Sequence, residues 1–578
     1  MPKVCVPILV RDPEDAAARA IEARDAGADL IEFRVDECFS GDLESSEAQT
    51  LVQGLENLIR TSPLPCILTC RLESEGGFYD GEEASRIALY ERLGMVAEAP
   101  AYIDIEDAAY EVSANLRQKI NLVVHHPGQL RDDRAALLLS MHDFTGRPQD
   151  LLRRVARMTS HAAASAIKVV YTARSLRDSL ELLDLAADSP LPTIALGMGE
   201  FGVLTRVLAP KFAGLLTFAS LSRDSRTAPG QPTIHELLNL YRFRSITRDT
   251  RVYGVVGWPV SHSLSPLVHN AGFERVGHDA VYLPLPIAAG ADPDETYASL
   301  KGTLLELCAH PRLNFAGCSV TLPHKEGLVR LARERGWSMD EATIATGAAN
   351  TLIWDPLSES GRVLNTDVAA MCEVLVAARR ERKLDESDSL NPASDPAKDD
   401  ASPLRAMRVS IIGAGGVARA AAWAAASAGA AVTIHARKPD RGEALARELA
   451  EALATRNKHG TVTASPMGIK PQACPHVIIN ATPLGMANGP APNQSPLDTR
   501  ALDACLTNGE GIEPIVIDTV YTPRMTPMLI EAGARGLRTI DGTTMFIAQA
   551  ALQFEAWTGQ AAPRALFTRM VDEALLAK

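Results

Sequence analysis

No apolar run in this 578-residue sequence approaches the roughly 20 residues needed to span a bilayer, so no membrane partner is expected. The opening stretch, MPKVCVPILVRD, is interrupted by Pro7 and Arg11 too early for a signal peptide, and the expected compartment is cytoplasmic. A surplus of positive charge is missing too. The formal net charge is −13, which argues against a nucleic-acid partner and leaves local basic clusters to hold small anions. The nine cysteines contain no CxxC, and the nearest pair, Cys66 and Cys70, would share a strand face at a distance too long for a disulfide. Free thiols and no metal site are therefore expected. The length predicts about four domains, and 46% apolar residues suffice for several cores.

One stretch points to a ligand. Arg408 to Ala420 reads RVSIIGAGGVARA: a β-branched run from Val409 to Ile412, a turn at Gly413, Gly415 and Gly416, and an Ala-rich, helix-prone segment to Ala428. The spacing Gly413-x-Gly415-x-x-Ala418 lets backbone approach a pyrophosphate and aims the free N–H groups of a helix N-terminus at its charge. Alone, the motif fits a nucleotide site or a merely tight βα turn. The next strand, Val432 to His435, ends at Arg437, Lys438 and Arg441, where an NAD-binding unit usually places an acid for the ribose 2′-hydroxyl. Three bases there suit a 2′-phosphate; the alternative is a solvated basic cluster. An NADP(H) site is the expectation.

The first half alternates β-rich runs with helical patterns. The runs are Val4–Val10, Leu30–Val35, Ile67–Arg71, Tyr102–Ile105, Leu137–His142, Ile167–Val170, Thr193–Leu196 and Leu215–Ala219, and eight of them point to a closed (β/α) barrel. Polar residues at the C-terminal ends of barrel strands are candidates for chemistry. The period of two puts Glu32, Arg34 and Asp36 on the inner face; Arg71 and Glu75 end the third run, His142 the fifth, and Arg206 follows the seventh. Thr227 and Gln231 come after the eighth. Lys168 stands among Ile167, Val169 and Val170, as a snorkelling or salt-bridged strand lysine or as an amine kept nucleophilic by desolvation and neighbouring cations. Three arginines and a histidine in the same cavity favour chemistry.

Residues 1 to about 242 resemble a type I 3-dehydroquinate dehydratase, through LIEFRVD (Leu30–Asp36), CRLESEGG (Cys70–Gly77), SMHDF (Ser140–Phe144), AIKVV (Ala166–Val170), GMGEFGVLTR (Gly197–Arg206) and TAPGQPT (Thr227–Thr233). The resemblance implies that Lys168 forms an imine with the substrate ketone, that His142 is the general acid and base, and that Glu75 orients it. It also implies that Arg34, Arg71 and Arg206 clamp carboxylate and hydroxyls with help from Glu32, Thr227 and Gln231. Thr227 stands where relatives often have serine.

After a helix and a short charged connector, TIHELLNLYRFRSITRDTR, which predicts a restricted joint, Tyr253 to Gly257 reads as a strand. Ser263 and Ser265 precede Pro266, a helix-start signal in which the serines either cap or bind. From about Arg251 to the C-terminus the chain resembles shikimate dehydrogenase, in SHSLSP, SVTLPHK, GAANTL, NTD, GAGGVARA, NATPLGM, DTVYTPRMTPML and GTTMFIAQAALQFEAWTG. The resemblance implies Lys325 as proton donor, Asp367 as its partner, and Ser263, Ser265, Thr321, Asn350, Tyr521 and Gln549 as substrate contacts. It implies NADP(H) held by Gly413, Ala414, Gly415, Gly416, Val417, Ala418, Ala436, Arg437, Lys438, Arg441, Thr482 and Gly542. Departures from the family are Ser319 for Asn, Ala370 for Gly, Ala436 for Asn and Pro483 for Ser.

The expected architecture is α/β throughout: a (β/α)8 barrel over 1–245, then a shikimate dehydrogenase-like module. The module comprises a substrate domain over 250–380 completed by helices 543–578, a Rossmann NADP-binding domain over 406–542, and, between them, a mobile acidic, proline-containing loop at 383–405. The expected function is dehydration of 3-dehydroquinate to 3-dehydroshikimate followed by reduction to shikimate, an order that resembles the fused enzymes of plants, in a monomer or homodimer. A quinate preference is disfavoured by the paired serines, and a non-catalytic sensor by Lys168, His142, Lys325 and Asp367.

Overall fold

A computed structural model describes residues 1–94, 99–125, 135–386, 404–405, 407–466, 474–507 and 512–576. The chain forms two compact units. The first is built on residues 1–251, with 279–287 and 310–314 grouped to it, and the second on the remainder.

The first unit carries the eight parallel strands the sequence implied: β1 (Lys3–Leu9), β2 (Leu30–Arg34), β3 (Cys66–Thr69), β4 (Tyr102–Glu106), β5 (Ala136–Asp143), β6 (Ala164–Thr172), β7 (Thr193–Met198) and β8 (Leu216–Phe218). They run β7-β6-β5-β4-β3-β2-β1-β8, and the bond from Leu215 N to Thr193 O, 2.9 Å, bridges the remaining gap between β7 and β8. Alternation along each strand divides the interior in two. Leu30, Ile67, Leu138, Ala166 and Leu216 belong to an apolar inner cluster. Two residues further along the respective strands stand Glu32, Thr69, Ser140, Lys168 and Phe218. The barrel floor is thus hydrocarbon, and the next layer combines the polar groups of Glu32, Thr69, Ser140 and Lys168 with Phe218, itself part of the apolar cluster.

Two further sheets follow the barrel strands along the chain. The first is mixed, ordered β10-β9-β11-β13-β14-β12, from β9 (Arg251–Gly257), β10 (Ala280–Pro286), β11 (Phe315–Val320), β12 (Ser338–Met339), β13 (Thr351–Asp355) and β14 (Ser360–Leu364); β13 is antiparallel to both neighbours. The other is parallel: β15 (Arg408–Ile412), β16 (Ala431–Ala436), β17 (Thr461–Pro466), β18 (Val477–Asn480), β19 (Ile515–Asp518) and β20 (Thr539–Ile540), ordered β17-β16-β15-β18-β19-β20. That is the doubly wound order, with its switch point between β15 and β18, where such sheets bind dinucleotides.

The helix Gly542–Thr558 returns to the mixed sheet, where Gln553 Nε2 donates to the Asn350 carbonyl and Trp557 Nε1 to that of Leu352, each at 3.0 Å. Its far end joins an aromatic cluster with the helix Ser265–Val276: Tyr253–Trp557 ring centroids are 5.2 Å apart, Phe273–Phe554 5.6 Å and Phe554–Phe567 5.8 Å. Gly272 makes this approach possible, since a Cβ there would lie 2.8 Å from Phe554 and 2.9 Å from Phe567.

Two expectations need correction. The helix Thr366–Glu386 continues past Lys383, so the start of the 383–405 segment is helical; Glu381 to Glu386 has no glycine or proline and consists mostly of strong helix formers. At the other end Leu404 is buried and its N–H donates to Ala428 O. Residues 387–403 lie outside the described residues. Seven cysteines are free, but Cys474 is in a disulfide. A disulfide depends on which side chains the fold brings together, and spacing along the chain does not reveal that.

Phe567→Ala should cost the second unit about 3–5 kcal/mol through the cavity it leaves. Calorimetry should show the midpoint of that unit falling while the barrel transition stays in place.

Candidate active sites

At the barrel mouth, Lys168 is 5% exposed; its Nζ lies 3.1 Å from Glu32 Oε1, 3.3 Å from Asp104 Oδ2 and 4.6 Å from the centre of the Phe218 ring. Thr69 Oγ1 donates to the same Glu32 oxygen. Arg34 grips Asp36 through two bonds of 2.8 Å, and Asp36 also accepts from Phe78 N, which fixes the guanidinium against its own strand end. Arg71 is held from behind: Nη2 to Asp104 at 2.7 Å, Nη1 to Glu106 at 3.0 Å and to Ser140 at 2.7 Å. Glu106 in turn pairs with buried Arg86.

His142 and Glu75 form a half-buried pair, with Nδ1 and the backbone N–H of the histidine each 3.0 Å from Glu75 Oε2. Burial pushes the Glu75 carboxyl up to about 8, against the pull of Arg71 and with the repulsion of Glu106 and Asp104. Burial also holds His142 well below the ordinary imidazole range, reinforced by Arg71, Lys168 and Arg34. The imidazole is therefore a neutral base at neutral pH.

Arg206 follows β7. It is 2% exposed, its Nε has no hydrogen-bond partner, and burial alone pulls it down to about 10. No carboxylate pairs with it among the described residues. Gln231 is likewise buried with Nε2 unpartnered, while its Oε1 accepts from Thr227 N and Oγ1. A desolvated guanidinium and a free amide donor are fitted for an anionic, oxygen-rich ligand.

Asp104, Glu106, Ser140, Arg86 and Phe218 were not singled out from the sequence. The signal for the first two was present: Asp104 and Glu106 are two apart on β4, the same period that identified Glu32 and Arg34 on β2.

In the second unit Lys325 Nζ lies 2.5 Å from Asp367 Oδ2, and Asn350 Nδ2 donates to Asp367 Oδ1 at 2.8 Å and to Thr366 Oγ1 at 2.9 Å. All three residues are buried, and the sequence separations show how β13, the helix starting at Lys325 and the helix starting at Thr366 converge. Ser263 Oγ accepts from Ser265 N, the capping alternative, and also bonds the Tyr521 hydroxyl, whose ionisation burial pushes up. Thr321 donates its N–H to Val256 O and its side chain is half-buried; Gln549 Nε2 bonds Phe546 O within its own helix. Ser319 Oγ, at the departure from Asn, donates to Gln553 Oε1.

The dinucleotide loop has the shape its glycines imply. Gly413 has φ +126°, and a Cβ there would lie 2.8 Å from the Ala481 carbonyl; at Gly415 a Cβ would meet nothing within 4 Å, so the loop is open on the ligand side. Gly416 begins the helix Gly416–Ser427 and faces Lys325, whose Cδ would be 3.1 Å from an added Cβ. Ala414 and Val417 are half-buried, and Ala418 and Ala436 are buried. Arg437, Lys438 and Arg441 are exposed at the end of β16. Thr482 Oγ1 bonds Asn480 Oδ1, and Gly542 lies against the Val520 carbonyl, a packing demand independent of any cofactor. These residues fit a dinucleotide phosphate ester. No helix of the described residues is long and apolar enough to cross a membrane.

Comparison with known proteins finds relatives for both halves of the chain. The type I 3-dehydroquinase family matches residues 4–248, the shikimate dehydrogenase substrate binding domain 255–352, and the shikimate 5′-dehydrogenase C-terminal domain 542–569. A solved structure of dehydroquinate dehydratase and shikimate dehydrogenase from S. pombe AroM is matched over 99% of this chain and 98% of that one, with 23% identity and TM-score 0.39. The shikimate dehydrogenase (NADP(+)) of Pelobacter propionicus is 35% identical over 322 residues, 56% of this chain and 95% of that protein. The chloroplastic bifunctional 3-dehydroquinate dehydratase/shikimate dehydrogenase of Arabidopsis thaliana is 33% identical over 576 residues, 99% of this chain and 84% of that protein. At that identity and coverage, the chain belongs to the bifunctional 3-dehydroquinate dehydratase/shikimate dehydrogenase family, a lyase and an oxidoreductase of the shikimate pathway in one polypeptide.

Proposed function

We propose that the barrel mouth dehydrates 3-dehydroquinate through Lys168. The neutral amine adds to the ketone carbon, the carbonyl oxygen leaves as water, and the nitrogen remains as a cationic imine that acidifies the neighbouring C–H. His142, a base because burial and three cations keep it unprotonated, takes that proton through the ring nitrogen turned away from Glu75. It then gives the proton to the departing hydroxyl, and hydrolysis of the imine frees 3-dehydroshikimate and Lys168. The observation that carries the reading is a buried lysine amine close to the base His142 in a barrel that also buries a guanidinium, Arg206, with no counter-charge of its own among the described residues. Arg206 takes the substrate carboxylate, with Gln231 and Thr227 beside it. Arg34 and Arg71, braced by Asp36 and by Asp104 and Glu106, meet the hydroxyls, with Glu32 accepting from one of them.

The second site reduces 3-dehydroshikimate to shikimate. NADP(H), cradled by Gly413 to Ala418 with Thr482 alongside and its 2′-phosphate at Arg437, Lys438 and Arg441, supplies the hydride when bound. Lys325 protonates the ketone oxygen, and Asp367, fixed by Asn350, keeps the ammonium aimed. Ser263, Ser265, Thr321, Tyr521 and Gln549 hold the ring substituents, and the serine pair disfavours the bulkier quinate carbon.

Purified protein given 3-dehydroquinate and NADPH should consume nicotinamide absorbance, and borohydride should trap an adduct on Lys168. Lys168→Ala should abolish that coupled signal and leave reduction of added 3-dehydroshikimate intact; loss of both would assign the signal to something other than this division of labour.

Replacing Arg437 and Arg441 together by alanine should raise KM for NADPH about 10- to 100-fold, the worth of charge-assisted phosphate bonds. An equal rise for NADH would place the 2′-phosphate elsewhere.

Glu75 binds its proton more tightly in the folded chain, at about 8, than at its ordinary 4.5. Its contribution to stability is full below 4.5 and is lost as pH rises through about 8. Glu75→Gln, which does not titrate, should therefore gain stability relative to the parent between about pH 5 and about pH 8.5, and lose roughly 10- to 100-fold in dehydratase rate. A melting-temperature difference that shrinks or stays flat over that range would mean Glu75 folds ionised.

A further inference from the structure

The carboxylate nearest the reacting lysine that nothing above assigns to the reaction is Asp104. It is 1% exposed and stands on β4, which is separated from β6 only by β5. Its Oδ2 is shared between Arg71 Nη2 at 2.7 Å and Lys168 Nζ at 3.3 Å, and its Oδ1 accepts from Ser140 Oγ at 2.5 Å. Ser140 also accepts from Arg71 Nη1, so guanidinium, hydroxyl and carboxylate form a closed triangle with the lysine at one corner.

The neighbouring acids are committed differently. Glu106 divides its oxygens between Arg71 with Leu72 N and Arg86, so Arg71 has a buried counter-ion without Asp104. Glu32 reaches Lys168 but pairs with no arginine at bonding distance; its other partner is Thr69. Among the described residues, Asp104 is the carboxylate in contact with both the amine and an arginine of the mouth. Burial alone would raise it, yet Arg71, Lys168 and the bonds from Ser140 and Arg71 outweigh burial and keep it below the usual carboxylate range. It is therefore a fixed negative charge.

A fixed negative charge is what the chemistry at Nζ requires. In forming the imine, the ammonium gives up two of its three protons, the nitrogen lone pair makes the C–N bond, and the ketone oxygen departs with those protons as water, leaving one N–H on the cationic imine. The nitrogen is cationic before the sequence and again after it. A counter-ion that does not move serves both states and needs no reorganisation between them.

We propose that Asp104 is a positioning residue of the dehydratase reaction: acting through Lys168, it aims the amine into the mouth and balances the charge of the imine, and Ser140 and Arg71 hold it there. The inference rests on Lys168 forming the imine.

The test uses the full chain carrying Asp104→Asn, which keeps shape and removes charge. Dehydratase kcat should fall about 10- to 100-fold with KM changed by less than about threefold. The fraction of Lys168 trapped by borohydride at saturating 3-dehydroquinate should fall with it, while reduction of added 3-dehydroshikimate is unchanged. An unchanged kcat, or a lowered kcat with full trapping, overturns the proposal, because the nitrogen would then be served without Asp104. If the variant barrel fails to fold, Ser140→Ala loosens the carboxylate and keeps its charge; it should lower kcat and trapping together by about threefold or more, and no change in either overturns the proposal. Absence of a trapped Lys168 adduct in the parent protein would refute the imine itself, a separate failure.

Discussion

Four cations, Lys168, Arg34, Arg71 and Arg206, stand inside a closed barrel where water cannot solvate them, and the carboxylates of Glu32, Asp36, Asp104 and Glu106 are what make three of them tolerable. A buried charge without a partner is expensive, whereas one that is paired and hydrogen-bonded can be held rigidly. The pairing is distributed unevenly, and the unevenness has consequences. Arg34 and Arg71 are braced, whereas Arg206 has no counter-charge among the described residues. Burial, reinforced by the positive field of Arg71, Lys168 and Arg34, holds His142 well below the ordinary imidazole range.

The second site solves a similar problem with fewer charges. Lys325 has one carboxylate, Asp367, and Asn350 completes that carboxylate's hydrogen bonds on the other side. Asn350 is in turn fixed by its own neighbours: Thr366 N and Thr351 Oγ1 donate to its side-chain oxygen, and Gln553 of the last long helix donates to its backbone carbonyl. The helix Gly542–Thr558 is therefore linked through Asn350 and Asp367 to Lys325. Gly416 adds a constraint from the opposite side, since the helix that opens the dinucleotide loop packs on the stem of Lys325.

The joining of two enzymes of consecutive reactions has a simple physical benefit. The product of the dehydratase is released in the neighbourhood of a covalently linked consumer, which raises its effective concentration there.

By itself the sequence determined the classes of structure and the candidate groups for the chemistry. Alternation of inward and outward residues placed Glu32 and Arg34 inside the barrel, and the glycine spacing at Gly413 to Ala418 placed a tight turn before a helix N-terminus, because both depend only on local backbone geometry. Lys325, Asp367 and Asn350 were legible as members of motifs. What the tertiary structure decided was who pairs with whom. Arg71 meets Asp104, Glu106 and Ser140 across 33 to 69 residues of sequence, and Lys168 meets Glu32 across 136. Those distances close only when eight strands take one register around a barrel, which no local pattern encodes. The helix that overruns Lys383 was likewise hidden, because it continues a helix anchored by buried Met371, Val374, Leu375 and Ala378.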